Sequence, residues 1–380
     1  MRLWFFPWLL LFCLSVYGVN SQVLKVELPN NLFAFSFQED KEGKIWIGLS
    51  DGNTSGDLGV YHEGIFSLKS YSVVIPVGSY HTSIKLSDGS ILFSGNILNE
   101  KGRSLLIWIS SMGIDTIQIP FILKNPHINC IELVNRSEIW IGTSSGLITN
   151  NRGEWNWLTT QHGMPSNFIS CIYQDFRGVV WVGTESGIAY FMDGNIYLPQ
   201  KGSKIISSAT TFFGDSRGYV WCGARFASEG VSVFNGQVWE TFSGRHGLVD
   251  NSASIFYQDL QGNLWVGSCY NRSRGGVSVF DGRNWAGYNS PDYIAKPCVD
   301  AITTDSKGKI WLGGSLTPQK SKGITVFDGD EWFITGADNT LPAERVIAFF
   351  VDSRGNLWVS SFEGLFIVSP EFSNFIKIIR

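Results

Sequence analysis

The sequence predicts an all-β fold: a single β-propeller of eight four-stranded blades. Three observations carry that prediction. An Asp-x-x-Gly-x-x-Trp-x-Gly unit recurs along the chain, its copies are anchored 40 to 47 residues apart, and each interval divides into four short segments of strand-like alternation. A sheet of four short strands is too thin to stand alone, so a series of them buries its faces blade against blade.

Full copies run over Asp40–Gly48, Asp175–Gly183, Asp215–Gly223, Asp259–Gly267 and Asp305–Gly313, and Asp352–Ser360 lacks only the last Gly. Two weaker copies place Trp140 in Ile139-Trp140-Ile141-Gly142 and Phe93 in the Trp slot. The anchors 46, 93, 140, 181, 221, 265, 311 and 358 fill the chain. Seven blades follow instead if the Phe93 copy is degenerate or a terminal unit is shared. In the unit of Trp265, Ser254–Gln258 is the first strand. Asp259-Leu260-Gln261-Gly262 is a tight turn in which Asp accepts from the backbone two residues on and Gly takes positive φ. Leu264–Gly267 and Gly276–Phe280 follow, Asp281-Gly282 reads as a two-residue type I′ hairpin, and Asn284–Tyr288 is the fourth strand. Trp46, Trp140, Trp181, Trp221, Trp265, Trp311 and Trp358 are structural anchors between sheets. Phe375–Arg380 is expected as a fourth strand of the last blade, with Val23–Leu28 pairing there to close the ring.

Met1 and Arg2 precede an apolar run from Leu3 to Val19, which reads as a signal peptide over 1–21 cleaved after Ser21. An uncleaved anchor is the alternative, since the run approaches the roughly 18 residues that span a bilayer. Phe12 before Cys13 is too bulky for a lipoprotein site. No other stretch reads as a membrane span, so residues 22–380 are expected as an exported propeller, periplasmic or extracellular. Charged residues make up 16% of the 380, against about 25% in ordinary domains, and hydrophobic residues 44%, which excludes disorder. A net charge of −4 gives no basic footprint for a nucleic acid.

Gly163-Met164-Pro165-Ser166-Asn167, Gln174-Asp175 and Trp181-Val182-Gly183-Thr184-Glu185-Ser186-Gly187-Ile188 resemble the two-component regulator propeller repeat. Its pattern is close to Gly-Leu-Pro-x-Asn, an apolar strand, Asp-x-x-Gly-Asn-Leu-Trp-[Val/Ile]-Gly-Thr, a short loop and Gly-Leu. The Gly-His and Trp-Asp marks of WD40 repeats and the double Gly of kelch repeats are absent, and the Asp to Gly spacing is one residue longer than in a sialidase Asp-box. The resemblance covers roughly 23–380 and implies a sensor-like propeller of the kind found in periplasmic parts of bacterial hybrid two-component receptors, many of which sense glycans. No kinase or DNA-binding domain follows before Arg380, so the expectation is a stand-alone ligand-binding or scaffolding propeller. The resemblance transfers no catalytic residue.

Chemistry candidates are few. Gly142-Thr143-Ser144-Ser145-Gly146 matches Gly-x-Ser-x-Gly, but a nucleophile elbow needs a strand-to-helix turn, and Ser144 holds a repeat loop position. His162 and His246 each stand 19 residues before their Trp, in the loops entering blades 4 and 6. They are candidate ligand contacts, read against the plainer role of solvated loop histidines. The turn aspartates read as turn chemistry rather than an acid ring. Cys130, Cys171, Cys222, Cys269 and Cys298 lack metal spacing and read as small buried residues, Cys130 and Cys171 at an inner-strand position that is mostly small in other blades.

Loops between second and third strands lengthen in some blades: from Trp to the next strand's Gly is six residues in blades 3, 4 and 8, but 9, 11 and 12 in blades 5, 6 and 7 and 13 in blade 1. Arg225, Phe226, Tyr270, Asn271, Arg272, Arg274, Lys320 and Lys322 fall there, a local basic and aromatic set suited to an acidic glycan, or else solvated loop residues. No catalytic residue, metal or cofactor is expected. The leading expectation is a small-molecule or glycan ligand on the long-loop face. The rivals are an envelope protein partner on that face, and a polysaccharide lyase or glycosidase on the same fold.

Overall fold

A computed structural model describes residues 16–20, 22–29, 31–52, 55–69, 78–97, 104–123, 127–225, 228–270, 274–289, 292–314, 323–335, 341–342 and 345–378. They form eight antiparallel sheets, six of four strands and two of five, in sequence order around a ring. Each interface between successive blades holds its own apolar cluster. Trp265 packs with Ile302, Ile310 and Leu312 of the next blade, and Trp181 with Ala209, Val220 and Cys222 of its successor.

The repeat unit is a hydrogen-bonded device. In blade 6, Asp259 Oδ1 accepts from the backbone N–H of Gln261 (3.0 Å) and of Asn263 (2.8 Å), while Oδ2 accepts from the Trp265 indole N–H (2.8 Å). Asp40, Asp175, Asp215, Asp305 and Asp352 bind Trp46, Trp181, Trp221, Trp311 and Trp358 in the same way. The six-residue spacing from Asp to Trp is thus a side-chain contact as well as a turn, and it satisfies an indole donor that packing would otherwise strand. The last Gly of the unit is a matter of space. A Cβ on Gly183 would lie 2.5 Å from the Ala209 carbonyl oxygen of the next blade.

Blade 2 corrects the sequence reading. Its second strand pairs Leu92, not Phe93, with the residue eight positions earlier, as Trp140 pairs with Glu132. Leu92 points into the interface with blade 3 while Phe93 faces blade 1. Its turn closes with Leu86 N–H on the Ser90 carbonyl, where other blades have Asp. Leu86 and Leu92 share one cluster. Both polar partners are therefore replaced together, which leaves neither an unpaired carboxylate nor an unpaired indole. In blade 3, whose turn lacks the Asp, Glu138 Oε2 accepts from Trp140 Nε1 at 3.2 Å.

Three further expectations change. Val23–Val26 pairs antiparallel with Gly364–Val368 and is itself the fourth strand of the last blade, with Val16–Asn20 outside it. The C-terminal segment goes elsewhere: Ile376–Lys377 pairs with Phe333 and Ile334 on the outer edge of blade 7. The turn after Phe280 is a four-residue loop, since Phe280 pairs with Trp285, and Asp281 Oδ1 accepts from the N–H groups of Arg283 and Asn284. Asp281 is not among the residues at positive φ, which a type I′ turn requires. In blade 1, Gly59 lies mid-strand opposite Ile47, so the loop is residues 51–55 and shorter than the Gly spacing indicates.

Candidate functional site

Antiparallel order puts the loops between second and third strands at the same end of the ring as the linkers between blades. Both candidate histidines lie at this end. Thr159 opens a single 3₁₀ turn, Thr160–His162, and its N–H donates to His162 Nδ1 (3.1 Å), while Asn167 Oδ1 accepts from Thr160 N–H (2.8 Å). The turn at Gly244–His246 repeats this: Ser243 N–H donates to His246 Nδ1 (2.9 Å), and Gly244 N–H to Asn251 Oδ1 (2.7 Å). Gly163 and Gly247 end these turns at φ of +96° and +106°, which an L side chain would strain. With Nδ1 accepting a backbone proton, the neutral imidazole carries its own proton on Nε2. Each histidine thus faces solvent as a hydrogen-bond donor, and neither has a ring nitrogen free to take a proton from a hydroxyl.

A cavity of about 690 Å³ opens at this end between blades 3 and 4, lined by Ser144, Ser145, Trp157, Thr159, Thr160, Gln161, His162 and Asn167. Trp157 is fixed by its indole N–H on the Ser145 carbonyl (3.1 Å). Ser144 sits in the short connection between the strands Glu138–Thr143 and Gly146–Asn151, not at a strand-to-helix elbow. The lining carries hydroxyls, amides and an imidazole around one indole, and no carboxylate, Lys or Arg.

The sector over blades 5 to 7 is cross-linked. Leu264–Tyr270 and Arg274–Phe280 run seven residues each, against four for Val220–Gly223 and Val231–Phe234, so their hairpin extends past its neighbours. Cys269, on that hairpin, forms a disulfide with Cys298 in the linker to blade 7. Arg225 from blade 5 pairs with Asp300 in the same linker at 3.1 Å. The disulfide corrects the reading of all five cysteines as packing residues, which holds for Cys130, Cys171 and Cys222. A signal was present: Cys269 and Cys298 both fall outside the inner-strand position that explains Cys130 and Cys171. Phe226, Asn271, Arg272, Lys320 and Lys322 lie outside the described residues, and Tyr270 and Arg274 are described as strand backbone only. Glu229 accepts from the Ser207 N–H (2.6 Å) and hydroxyl, and Glu185 from the Ser166 hydroxyl.

Other titratable groups lie on the inner strands. His81 packs edge-on against Phe35 and His127, with centroids 5.2 and 5.9 Å apart, and burial holds both imidazoles below their ordinary pKa. Burial pushes the Glu132 carboxyl up to about 7 and the Cys130 thiol to about 12. Among the described residues no three His, Cys, Asp or Glu side chains come together to hold a metal ion.

A family model, two component regulator propeller, matches residues 163–186 and 340–363. No curated protein sequence matches the chain. Among solved structures, the extracellular domain of the hybrid two component system BT3049 from B. thetaiotaomicron is similar at TM-score 0.51 and 16% identity, over 94% of this chain and 56% of that one. A catalytically inactive virginiamycin B lyase from Staphylococcus aureus, with quinupristin, is similar at 0.52 and 12%, over 92% and 99%. YCF48 from Cyanidioschyzon merolae is similar at 0.54 and 11%, over 93% and 100%. Identities this low speak for the fold alone. The chain spans little more than half of the B. thetaiotaomicron domains, 56% and 53%.

Proposed function

We propose that this chain, in which residues 163–186 and 340–363 match the two-component regulator propeller repeat, is an exported, sensor-like propeller that binds an uncharged carbohydrate on its long-loop face. One observation carries the reading: the 690 Å³ cavity between blades 3 and 4 is lined by hydroxyls, amides and the His162 imidazole around the Trp157 ring, with no carboxylate, Lys or Arg. That lining suits a polyhydroxylated ring with one apolar face, since stacking on an indole and short-range hydrogen bonds supply both affinity and orientation. The cross-linked sector over blades 5 to 7 supports the same face as a preorganised surface, because ordering it costs less on binding. Export agrees with a disulfide, which persists in oxidising compartments. No helix among the described residues is long and apolar enough to cross a membrane.

The test is a glycan array with the purified protein, repeated with Trp157→Ala. A bound glycan whose signal falls at least tenfold in the variant is expected. Silence across the array, or binding unchanged in Trp157→Ala, overturns the assignment. Arg272→Ala and Arg274→Ala, read on the same array, separate this cavity from the blade 6 hairpin.

A further inference from the structure

The opposite end of the ring carries an aromatic feature that the repeat does not call for. In blade 4 the residue paired with the anchor Trp181 is Tyr190, and the residue paired with Tyr190 is Tyr197. The first of these places is Val60, Val233, Val279 and Val326 in four other blades. The second is Ser67, Asn156, Glu240 and Ala286 in blades 1, 3, 5 and 6. Three rings thus run side by side across the sheet. Trp181 and Tyr190 have centroids 5.1 Å apart, and Tyr190 stacks on Tyr197 at 5.4 Å with planes 20° apart. Blade 5 brings Phe234 and Trp239 to the same place, each 5.5 Å from Trp181.

The backbone leaves this slab open. The fourth strand of blade 4 is only Asn195–Tyr197, and the chain then leaves the sheet. A pocket of about 900 Å³ results, walled by Met192, Val238 and Lys204. At the same corner between blades 6 and 7, where Trp285–Tyr288 is a four-residue strand and Val279 and Ala286 replace the tyrosines, the space is about 310 Å³. Tyr197, Met192 and Val238 stay 37%, 42% and 54% exposed. Tyr190 and Trp239 line the pocket, and among the described residues neither the Tyr190 hydroxyl nor the Trp239 indole N–H has a hydrogen-bond partner in the protein; Tyr197 stacks on Tyr190 from outside the lining. The pocket's charges balance, Arg177 and Lys204 against Asp193 and Glu240, and Arg177 is already held by Asp175.

We propose that the pocket between blades 4 and 5 is a second binding site, for a flat, uncharged aromatic ring with a polar edge, which packs against Tyr190, Trp181 and Trp239 in its wall. A π-system gains from an offset third ring in a way that an aliphatic ring does not, and Met192 adds a polarisable flank. The Tyr190 hydroxyl and the Trp239 indole N–H hold the polar edge. The ring arrives as a small phenol or as a tyrosine side chain of a peptide; the chemistry recognised is the same.

The test titrates the whole protein with p-cresol and with N-acetyl-L-tyrosinamide by saturation-transfer NMR, with methyl β-D-glucopyranoside as the contrasting probe. Saturable binding of at least one phenol is expected, roughly tenfold weaker in Tyr190→Val, less weakened in Tyr197→Ser, whose ring only backs Tyr190, and unchanged in Trp157→Ala. Tyr190→Val installs the residue that four sister blades carry, and Tyr197→Ser alters an exposed edge, so melting temperatures near wild type are expected. Binding by N-acetyl-L-tyrosinamide in preference to p-cresol assigns a peptide source, and the reverse assigns a free phenol. Absence of phenol binding, binding unchanged from wild type in Tyr190→Val, or binding of the glucoside alone at this pocket overturns the proposal. A failed glycan array leaves it standing, because the two sites lie at opposite ends of the ring and respond to different variants.

Discussion

At the scale of single residues, the aspartate of six of the eight repeats holds two backbone N–H groups with one oxygen and an indole with the other. Asp259→Asn retains an acceptor for the turn but loses the charge, and its amide can face the Trp265 N–H as a second donor. A loss of about 1 to 3 kcal/mol in urea unfolding is expected, and a change near zero would mean that the Asp to Trp bond contributes nothing net. The Asp and its turn were legible in the sequence; the bond to Trp was not, because a spacing of six has no obvious meaning until the turn reverses the chain. Blade 2 was misread for a related reason. An aromatic ring at position 93 looks like the anchor, whereas the ladder shows Leu92 in that place and Leu86 where the Asp belongs. Glu132 gives a pH-dependent prediction. Its carboxyl is raised from the ordinary range to about 7 by burial, so the folded chain binds the proton more tightly than the unfolded one. Stability from this group is fully present below about pH 4.5 and is lost as pH rises through 7, by an amount on the order of 3 kcal/mol. Glu132→Gln mimics the protonated form, so its melting temperature should rise above wild type between pH 5 and 7.5 and then hold a constant lead. A constant difference across the whole range would show that Glu132 titrates normally. His81 and His127, shifted the other way by burial, contribute stability that is lost as pH falls below about 6.5, and taking the difference between variant and wild type cancels them.

At the scale of elements, strand lengths decide where the propeller departs from a plain ring. Blade 6 lengthens its middle hairpin and blade 4 cuts its outer strand short, and each departure sits at a proposed binding surface or beside one. The long hairpin was legible from the Trp to Gly spacing. The short strand was legible only in part: Pro199, two residues after Tyr197, cannot donate to a ladder and marks its end, but nothing in that signal shows that the opening becomes a pocket. The Cys269–Cys298 bond spans 29 residues and ties the hairpin to the linker. Closing a loop of that length removes roughly 3 to 4 kcal/mol of unfolded-state entropy in the chain-entropy model. Cys269→Ser with Cys298→Ser is therefore expected to lower the urea midpoint and to steepen the slope slightly, because the unlinked unfolded chain exposes more surface. Alkylation of the unfolded, unreduced protein should label Cys130, Cys171 and Cys222 and spare the other two. Labelling of Cys269 would rule the bond out.

At the scale of the whole molecule, a ring of blades is only as cooperative as its closure. The last blade takes three strands from the C-terminal part of the chain, and Val23–Val26 supplies the fourth by pairing Val23 through Val26 with Val368 through Leu365. Val23 and Val26 are fully buried, Val23 in the interface between blades 7 and 8 and Val26 in that between blades 8 and 1. An N-terminal strand is thereby fastened into the sheet formed by Val346–Val351, Leu357–Ser361 and Gly364–Val368, and opening the ring requires breaking that ladder and two apolar interfaces together. The position of the closing strand was half legible: its alternation marked it as a strand for the last blade, but Phe375–Arg380 had the same apolar character, and only the three-dimensional path sends that segment to blade 7. A chain that starts at Gln22 keeps the whole closing strand, including the Gln22 carbonyl that accepts from Ser369 N–H at 2.8 Å. One that starts at Leu28 leaves the outer edge of Gly364–Val368 unpaired and exposes both interfaces. The shorter chain should melt at least 10 °C lower, because deleting two buried valines and four ladder residues removes several kcal/mol. Its amides in blades 8 and 1 should exchange before those of blades 3 to 5. Equal melting of the two chains would mean that the ring is closed by blade packing alone, and that Val23–Val26 only decorates an edge.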